Sequence, residues 1–275
     1  MTISKNIRQY YYSLFDLLKL DKNGGDPNGP VVSLTTVPHR IDNIKPTLVS
    51  LLRQTVKPKR IEINLSEELF AGRKIPMSLL NLENVKICWQ KKDYGPATKL
   101  IATIERYQTQ NERIVIVDDD MYYSKDMISD LMAADMKADG KHVFCINGFL
   151  LPRDLKSESI GSDKALKSGT RKVAVIEGCG GYILRSNHLD WKLLLNLENA
   201  PARALFDDDI WFSGHLSKAG VDKIQIPTGK RKSLVNSHKG SAISGDRWQL
   251  QSDLMIFFKD DWKDYEYERD QPRTC

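Results

Sequence analysis

The sequence has few cysteines and no long apolar run. Its four cysteines, Cys88, Cys145, Cys179 and Cys275, are far apart and show no C-x-x-C spacing, so neither a zinc site nor a disulfide framework is expected. No stretch approaches the roughly 18 apolar residues that a membrane-spanning helix needs. The N-terminus also lacks the apolar core of a signal peptide. We therefore expect a cytoplasmic protein, with peripheral association at the inner membrane face as an open alternative.

The sequence also lacks a strong excess of either charge. Its 41 Lys and Arg residues exceed its 36 Asp and Glu residues by only five, and they are spread along the chain. Nucleic-acid-binding proteins usually concentrate basic residues on one surface, so nucleic acid is not an expected partner. With 41% hydrophobic residues among 275, the chain can bury a sizeable core.

Turn-rich composition divides the chain into three parts. Residues 5–20 place apolar side chains at helical spacing, and the Gly-rich segment DKNGGDPNGP follows them. We expect an amphipathic helix and linker at residues 1–29, a main domain at residues 30–245, and a tail or lid at residues 246–275.

Strand-like and helix-like segments alternate through the main domain. Strands are expected at residues 31–36, 60–66, 84–90, 113–119, 142–148 and 172–178, and helices near residues 44–54, 96–108 and 207–220. This alternation predicts an α/β fold whose central sheet is mostly parallel and covered by helices. Ligands bind such sheets outside the carboxyl ends of the strands.

Three consecutive aspartates follow an apolar strand in the segment IVIVDDDMYY, residues 114–123. Mg²⁺ and Mn²⁺ prefer oxygen ligands and usually take one or two carboxylates plus substrate phosphates. Alternation along an extended segment directs Asp118 and Asp120 to the same side and Asp119 elsewhere. We therefore expect a divalent cation at Asp118 and Asp120, with a polar loop or a helix cap as the alternative.

A second acidic cluster, Asp207, Asp208 and Asp209, opens the helix expected at residues 207–220. Carboxylates are favoured at a helix N-terminus by the helix dipole and by the unpaired backbone N–H groups. Simple N-capping is therefore one interpretation of this cluster, and chemistry is the other.

The order of these features resembles the GT-A-fold glycosyltransferases, in particular family 2-like members. The resemblance rests on VSLTTVPHRI followed by SLLRQTVKPKRIEINLS, on KKDYGPATKLI, on Asp-x-Asp after a strand, and on an acidic pair opening a later helix. It implies a Rossmann-like GT-A sheet and metal-dependent, inverting transfer of a hexose from a nucleotide-diphosphate sugar, with UDP favoured. The implied acceptor is a hydroxyl of a glycan or a lipid-linked glycan in surface polysaccharide synthesis.

The resemblance also implies roles for individual residues. Asp118, Asp120 and His238 would hold Mn²⁺ or Mg²⁺, and Asp209 or Asp208 would be the general base. The implied donor-binding residues are Thr35, Arg40, Asp93, Lys99 and Asp119, and the implied sugar and acceptor contacts are Gly180, Gly181 and Trp211. Ordinary surface charge is the alternative for Arg40 and Lys99, a tight turn for the glycines, and core packing for Trp211.

Three rival functions fit parts of the pattern. An Asp-x-Asp phosphohydrolase usually has a Thr or Val shortly after the second Asp, whereas Met121 and Tyr122 follow here. A nucleotidyltransferase begins with a Gly-rich loop after the first strand, and SLTTVPHR has no glycine. A non-catalytic nucleotide-sugar or glycan-binding protein would not need both acidic clusters. Retaining relatives with Asp-x-Asp use no base, so retention stays open.

Overall fold

The computed structural model of the protein describes residues 24–161, 166–227 and 247–268, together with Lys22 and the backbone of residues 232–233. The helix expected near the N-terminus and the expected metal ligand His238 lie outside the described residues.

Strands within these residues are mostly short. They are β1 (Val31–Thr35), β2 (Arg60–Ser66), β3 (Val85–Gln90), β4 (Arg113–Ile116), β5 (Met121–Tyr122), β6 (Val143–Cys145), β7 (Gly148–Phe149), β8 (Arg171–Lys172), β9 (Val175–Ile176), β10 (Tyr182–Arg185), β11 (Lys223–Gln225) and β12 (Lys232–Ser233).

Helices follow several of these strands. They are α1 (Lys45–Leu52), α2 (Met77–Leu80), α3 (Thr98–Tyr107), α4 (Met127–Lys137), α5 (Trp191–Leu194), α6 (Asp208–Lys218) and α7 (Arg247–Phe257). None of these described helices combines the length and apolarity needed to cross a membrane.

Eight of the described strands form one sheet in the order β3-β2-β1-β4-β10-β6-β11-β8. The pairings from β3 to β4 are all parallel, as expected for βαβ units. In the second half, β10 runs antiparallel to both β4 and β6, β11 is parallel to β6, and β8 is antiparallel to β11. The prediction of an α/β fold with a mostly parallel central sheet is confirmed.

Both faces of the sheet are buried. Along β4, Ile114 and Ile116 join the hydrophobic cluster that includes helix α3, whereas Val115 and Val117 join the cluster that includes helices α1 and α4. This alternation explains why residues 114–117 are all apolar. Because β4 is held from both sides, the aspartates that follow Val117 have a fixed place at the edge of the sheet.

Several expected elements differ in detail. The single strand expected at residues 172–178 is two strands, since β8 pairs with β11 while β9 pairs with β7 in a separate small sheet. The segment expected at residues 142–148 is likewise divided into β6 and β7. Helix α4 and strand β10 had no clear sequence signal, although β10 lies at the centre of the sheet.

The C-terminal segment, expected to be a tail or lid, packs into the domain over residues 247–268. Leu254, Met255 and Phe258 are buried in the same cluster as helices α3 and α6. The ammonium of Lys223, which is fully buried, lies 2.5 Å from a carboxylate oxygen of Glu266. A buried charge pair of this kind fixes the segment in place because either partner alone would be costly to bury.

Replacement of Glu266 by Ala should therefore destabilise the protein strongly. The loss leaves the Lys223 ammonium buried without its carboxylate, and we expect the free energy of unfolding to fall by about 3 to 5 kcal/mol. Asp264→Ala, at an exposed position two residues away, is the matched control and should cost no more than roughly 0.5 kcal/mol. Urea denaturation measures both. Equal, small effects would show that the segment is a dispensable tail.

Candidate active site

A cavity of about 570 Å³ opens where strands β1 and β4 end and helix α6 begins. Nine residues singled out from the sequence line it: Thr35, Arg40, Asp93, Lys99, Asp118, Asp119, Asp120, Asp208 and Asp209. The two acidic clusters are about 90 positions apart in the sequence, and the fold brings them to one cavity. Its position agrees with the general rule for ligand sites in α/β sheets.

Tyr123 fixes the turn that carries the first acidic cluster. Its side chain is 2% exposed, and its hydroxyl accepts a hydrogen bond from the backbone N–H of Asp118 at 2.8 Å. The same hydroxyl lies 3.2 Å from the backbone carbonyl of Gly178. One buried phenol therefore links the end of β4 to the loop between β9 and β10.

Asp119 is the most buried aspartate of the first cluster, although all three line the cavity, and it shares the Arg40 guanidinium with Asp120. Its carboxylate is buried and accepts hydrogen bonds from Arg40 and, at 2.5 Å, from the Thr36 hydroxyl. Burial raises the pKa of Asp119 to about 6, although Arg40 and Thr36 oppose the rise. The side chains of Asp118 and Asp120 are more exposed, at 28% and 18% against 7% for Asp119.

Each of the two exposed aspartates has a cationic partner. The Arg40 guanidinium that binds Asp119 also lies 2.8 Å from Asp120 Oδ2. The Lys99 ammonium donates a 2.7 Å hydrogen bond to Asp118 Oδ1. Arg40 and Lys99 therefore partly neutralise the acidic triplet, which explains how three adjacent carboxylates are tolerated at the end of a buried strand.

Lys99 connects the two acidic clusters. Its ammonium lies 2.9 Å from Asp208 Oδ2 as well as 2.7 Å from Asp118 Oδ1, and its side chain is only 4% exposed. Burial lowers the pKa of Lys99, but the charges of Asp118 and Asp208 outweigh burial and hold this pKa well above its ordinary value. Lys99 was expected from the sequence to bind the donor, and in the structure its ammonium bridges two carboxylates at the wall of the cavity.

The three aspartates of the second acidic cluster have different surroundings. Asp207 is the N-cap of helix α6, and its carboxylate accepts hydrogen bonds from the backbone N–H of Ile210, from Gln251 and from Arg247. Capping is thus assigned to Asp207, while Asp208 and Asp209 face the cavity. Asp209 Oδ1 accepts a 3.0 Å hydrogen bond from the backbone N–H of Gly178.

Burial is the main cause of the raised pKa values of Asp208 and Asp209. It raises the pKa of both carboxyls, and the charge of Asp208 raises that of Asp209 further. Lys99 opposes the rise at both residues, and it contacts Asp208 directly. The pKa of the Asp209 carboxyl is therefore held well above its ordinary value.

Gly180 and Gly181, expected from the sequence to contact the sugar or the acceptor, are buried and do not line the cavity. A Cβ at Gly180 would lie 2.8 Å from the backbone nitrogen of Asn147, and one at Gly181, where φ is +86°, would lie 2.6 Å from Met127 Sδ. Both positions face the protein interior. The neighbouring Gly178 borders the site, since a Cβ there would lie 2.8 Å from Asp118 Oδ1 and 2.9 Å from Lys99 Nζ.

The suggestion that Trp211 offers a platform to a sugar is wrong. Its ring has no exposed surface, and its Nε1–H donates a 3.1 Å hydrogen bond to the backbone carbonyl of Leu194. It packs against Phe257 and Phe258 of the C-terminal segment. Core packing, the alternative raised from the sequence, describes its role.

Ten residues that line the cavity were not singled out from the sequence, among them Thr36, Arg203, Phe206 and Arg247. Thr36 follows β1 directly and was within reach of sequence reasoning. Arg203 has a left-handed backbone with φ of +65° and places its guanidinium 4.6 Å from the centre of the Phe206 ring. No spacing in the sequence indicates that Arg203 and Arg247 meet at one cavity.

Replacing Lys99 by Met should destabilise the protein, because the variant loses the ammonium that contacts both Asp118 and Asp208. Because Asp208 would lose its cation, its pKa would rise further, so the loss of stability should be larger at pH 8 than at lower pH, where Asp208 takes up a proton more readily. We expect about 3 to 5 kcal/mol near pH 8 by urea denaturation. Adding Asp208→Asn should restore part of it.

Lys125→Met, at a position 73% exposed, is the control for that series and should change stability by roughly 0.5 kcal/mol or less. A Lys99→Met protein that loses no more stability than this control would contradict the bridging role.

Comparisons with known proteins give a structural likeness only. No protein-family model matches the sequence, and no curated protein matches it. The structure resembles a crystal structure of GalNAc-T7 with UDP, GalNAc and Mn²⁺, with a TM-score of 0.52, 11% sequence identity, and coverage of 84% of this chain and 50% of that chain. This chain thus spans half the length of GalNAc-T7.

Two further solved structures are similar at lower TM-scores. Mannosyltransferase PcManGT from Pyrobaculum calidifontis, in complex with GDP-Man and Mn²⁺, matches at 0.49 with 14% identity, covering 94% of this chain and 74% of that chain. S. aureus TarS 1–349, in complex with UDP-GlcNAc, matches at 0.48 with 13% identity, covering 85% and 66%. The likeness to GalNAc-T7 shows that this chain has the GT-A-type fold expected from its sequence.

Proposed function

We propose that the protein is a metal-dependent glycosyltransferase that uses a nucleotide-diphosphate sugar. The observation that carries the proposal is the meeting of two acidic clusters at one cavity, at the carboxyl ends of β1 and β4. Transfer of a sugar from a diphosphate needs one group to neutralise the leaving phosphates and another to accept the acceptor's proton. The two clusters supply these groups from different elements of the fold.

Asp118 and Asp120 are the proposed cation ligands. No group of three His, Cys, Asp or Glu side chains within the described residues is arranged to hold a metal ion. Two carboxylates suit Mg²⁺ or Mn²⁺ when phosphate oxygens of the substrate complete the coordination. When bound, the cation would neutralise charge that develops on the leaving diphosphate. The GalNAc-T7 structure holds UDP together with Mn²⁺, which supports this assignment.

His238 stays the proposed third ligand. The backbone of Ser233 pairs with Met121, the residue directly after Asp120. His238 follows Ser233 by five positions, and an extended chain of that length spans up to about 17 Å. The chain between them is therefore long enough to return to the acidic triplet.

The nucleotide would lie at the end of the cavity formed by Thr35, Arg40 and Asp93. Arg40 offers a guanidinium there, and guanidinium groups pair well with phosphate oxygens. The Thr35 hydroxyl donates a hydrogen bond to the backbone carbonyl of Asn64, which leaves its oxygen able to accept one. UDP is the proposed nucleotide, and a hexose is the proposed sugar.

Asp209 is the proposed general base of an inverting reaction, with Asp208 as the alternative. The acceptor hydroxyl oxygen would bond to the anomeric carbon as the bond from that carbon to the diphosphate breaks. The hydroxyl proton would pass to Asp209, and the nucleoside diphosphate would leave. Lys99 pairs with Asp208 rather than with Asp209, so Asp209 is the carboxylate better able to accept a proton.

A glycan or lipid-linked glycan is the proposed acceptor, in surface polysaccharide synthesis. We place the reaction in the cytoplasm, with the inner membrane face as the proposed location when the acceptor is lipid-linked.

The proposal predicts that nucleotide and cation bind together. Because two carboxylates give an incomplete cation site, Mn²⁺ alone should change the thermal unfolding temperature little. Mn²⁺ with UDP or GDP should stabilise the protein by about 2.7 kcal/mol at 100 times the dissociation constant. Differential scanning fluorimetry with UDP, GDP, CMP and their sugar conjugates, each with and without Mn²⁺, measures this.

Asp118→Asn and Asp120→Asn should remove the cation-dependent part of that stabilisation, whereas Asp264→Asn, at an exposed carboxylate outside the cavity, should keep it. Absence of any nucleotide-dependent shift in the unmodified protein would reject the donor site.

A second prediction concerns Asp209→Asn. The raised pKa means that the folded protein holds this carboxyl in its protonated form more readily than the unfolded chain does, so stability is lost as pH rises. The Asn variant removes that cost and should be more stable at neutral pH by roughly 0.5 to 2 kcal/mol. It should also lose transfer activity while retaining nucleotide-dependent stabilisation.

Asp207→Asn is the neighbouring control and should have the opposite effect on stability, because the buried Asp207 carboxylate pairs with Arg247.

The transfer rate of the unmodified enzyme should rise with pH through the apparent pKa of the Asp208–Asp209 pair. If the Asp209→Asn variant kept full transfer activity, Asp209 would not be the general base.

A further inference from the structure

A second cavity, of about 530 Å³, adjoins the first. One wall is the segment of residues 199–203 that precedes helix α6, and the other is a face of helix α7. Arg203 and Arg247 line both cavities, so the two spaces share a boundary. We call the second space the side cavity.

The side cavity lies toward the proposed base rather than toward the proposed nucleotide site. Arg247 pairs with Asp207, the residue that caps helix α6, at 3.2 Å. Arg203 rests on the Phe206 ring, three residues before Asp209. In contrast, Thr35, Arg40 and Asp93 line only the first cavity. A ligand in the side cavity would therefore approach Asp208 and Asp209 from the side of the two arginines.

The lining of the side cavity combines apolar surface with polar groups. Ile256 is 50% exposed and Phe257 is 37% exposed, and together they present an apolar surface along helix α7. One side of the Phe257 ring packs on the buried Trp211 ring, with 5.8 Å between centroids, which holds it in place. The small or apolar residues Ala200, Pro201, Ala202 and Leu250 extend this surface, and the polar or charged side chains of the lining are Asn199, Arg203, Arg247, Gln249 and Asp253.

We infer that the side cavity binds a sugar ring of the acceptor. A pyranose ring has an apolar face of C–H groups and a rim of hydroxyls, so it needs an apolar platform surrounded by hydrogen-bonding groups. Phe257 and Ile256 supply the platform, and Arg203, Gln249 and Asp253 supply polar groups around it. The continuous boundary with the first cavity would let an acceptor hydroxyl reach Asp209. This assignment of the acceptor subsite rests on the proposed function.

The charged side chains in the lining favour a sugar over an aliphatic chain. An alkyl or isoprenoid chain in this space would bring three charged side chains, Arg203, Arg247 and Asp253, against apolar groups that offer them no hydrogen bonds. A glycan can pair with the same side chains. The saccharide part of a lipid-linked acceptor would bind in the same way as a free saccharide.

Saturation-transfer NMR on the full chain with methyl glycosides of glucose, galactose, mannose and N-acetylglucosamine tests the inference. We expect at least one to bind. Ala202→Trp, which fills the cavity, and Ile256→Glu, which removes the apolar platform, should each weaken its binding by about tenfold or more. Matched controls on helix α4, Ala133→Trp and Met136→Glu, change exposed residues that line neither cavity and should bind the glycoside as the unmodified protein does.

Three results would overturn the inference. They are unchanged glycoside binding in both cavity variants, binding of farnesyl phosphate but of no glycoside, and binding of none of these probes. Nucleotide-dependent stabilisation is a separate measurement on the donor side. If the nucleotide causes no stabilisation but the Ala202→Trp and Ile256→Glu variants lose glycoside binding, the proposed transfer reaction is rejected and the saccharide site in the side cavity is retained.

Discussion

The pairing of Lys99 with Asp118 and Asp208 is the interaction on which the site depends. Each acidic cluster alone would carry several buried or half-buried carboxylates, and their mutual repulsion would push them apart. One buried ammonium within 2.9 Å of both clusters offsets that repulsion and holds the end of β4 against the start of α6. The same contact leaves Asp209 without the cation, which is why this carboxyl is the one suited to accept a proton.

This bridge also organises the cleft. On one side, the triplet after β4 faces Arg40 and the proposed nucleotide site. On the other, Asp208 and Asp209 lie next to the boundary with the side cavity, marked by Arg203 and Arg247. A donor and an acceptor entering from these two sides would meet at the bridge, and the C-terminal segment, held by the Lys223–Glu266 pair, forms one wall of the acceptor side.

The sequence predicted the fold and many residues of the first cavity, but not the residues that line the side cavity. Residues 114–117 of the β4 segment are apolar because both faces of the sheet are buried there, and the aspartates that follow stand out against that background. Residues such as Arg203 and Arg247 meet only through long-range packing that leaves no local pattern. The ligand contacts expected of Trp211 and Gly180 could not be judged from residue type, because aromatic side chains and glycines occur in tight packing as readily as at ligands. Gly178 lies beside Asp118 and Lys99, whereas Gly180 lies beside Asn147.

The most direct test of the account is the position of Mn²⁺ in crystals of the protein grown with UDP or GDP, located by anomalous diffraction. The account predicts a manganese peak in the first cavity, in contact with Asp118 or Asp120 and with the diphosphate, and with Asp209 on the far side of the Lys99 bridge. A nucleotide bound outside this cavity, or manganese held without any contact to the Asp118–Asp120 triplet, would contradict it.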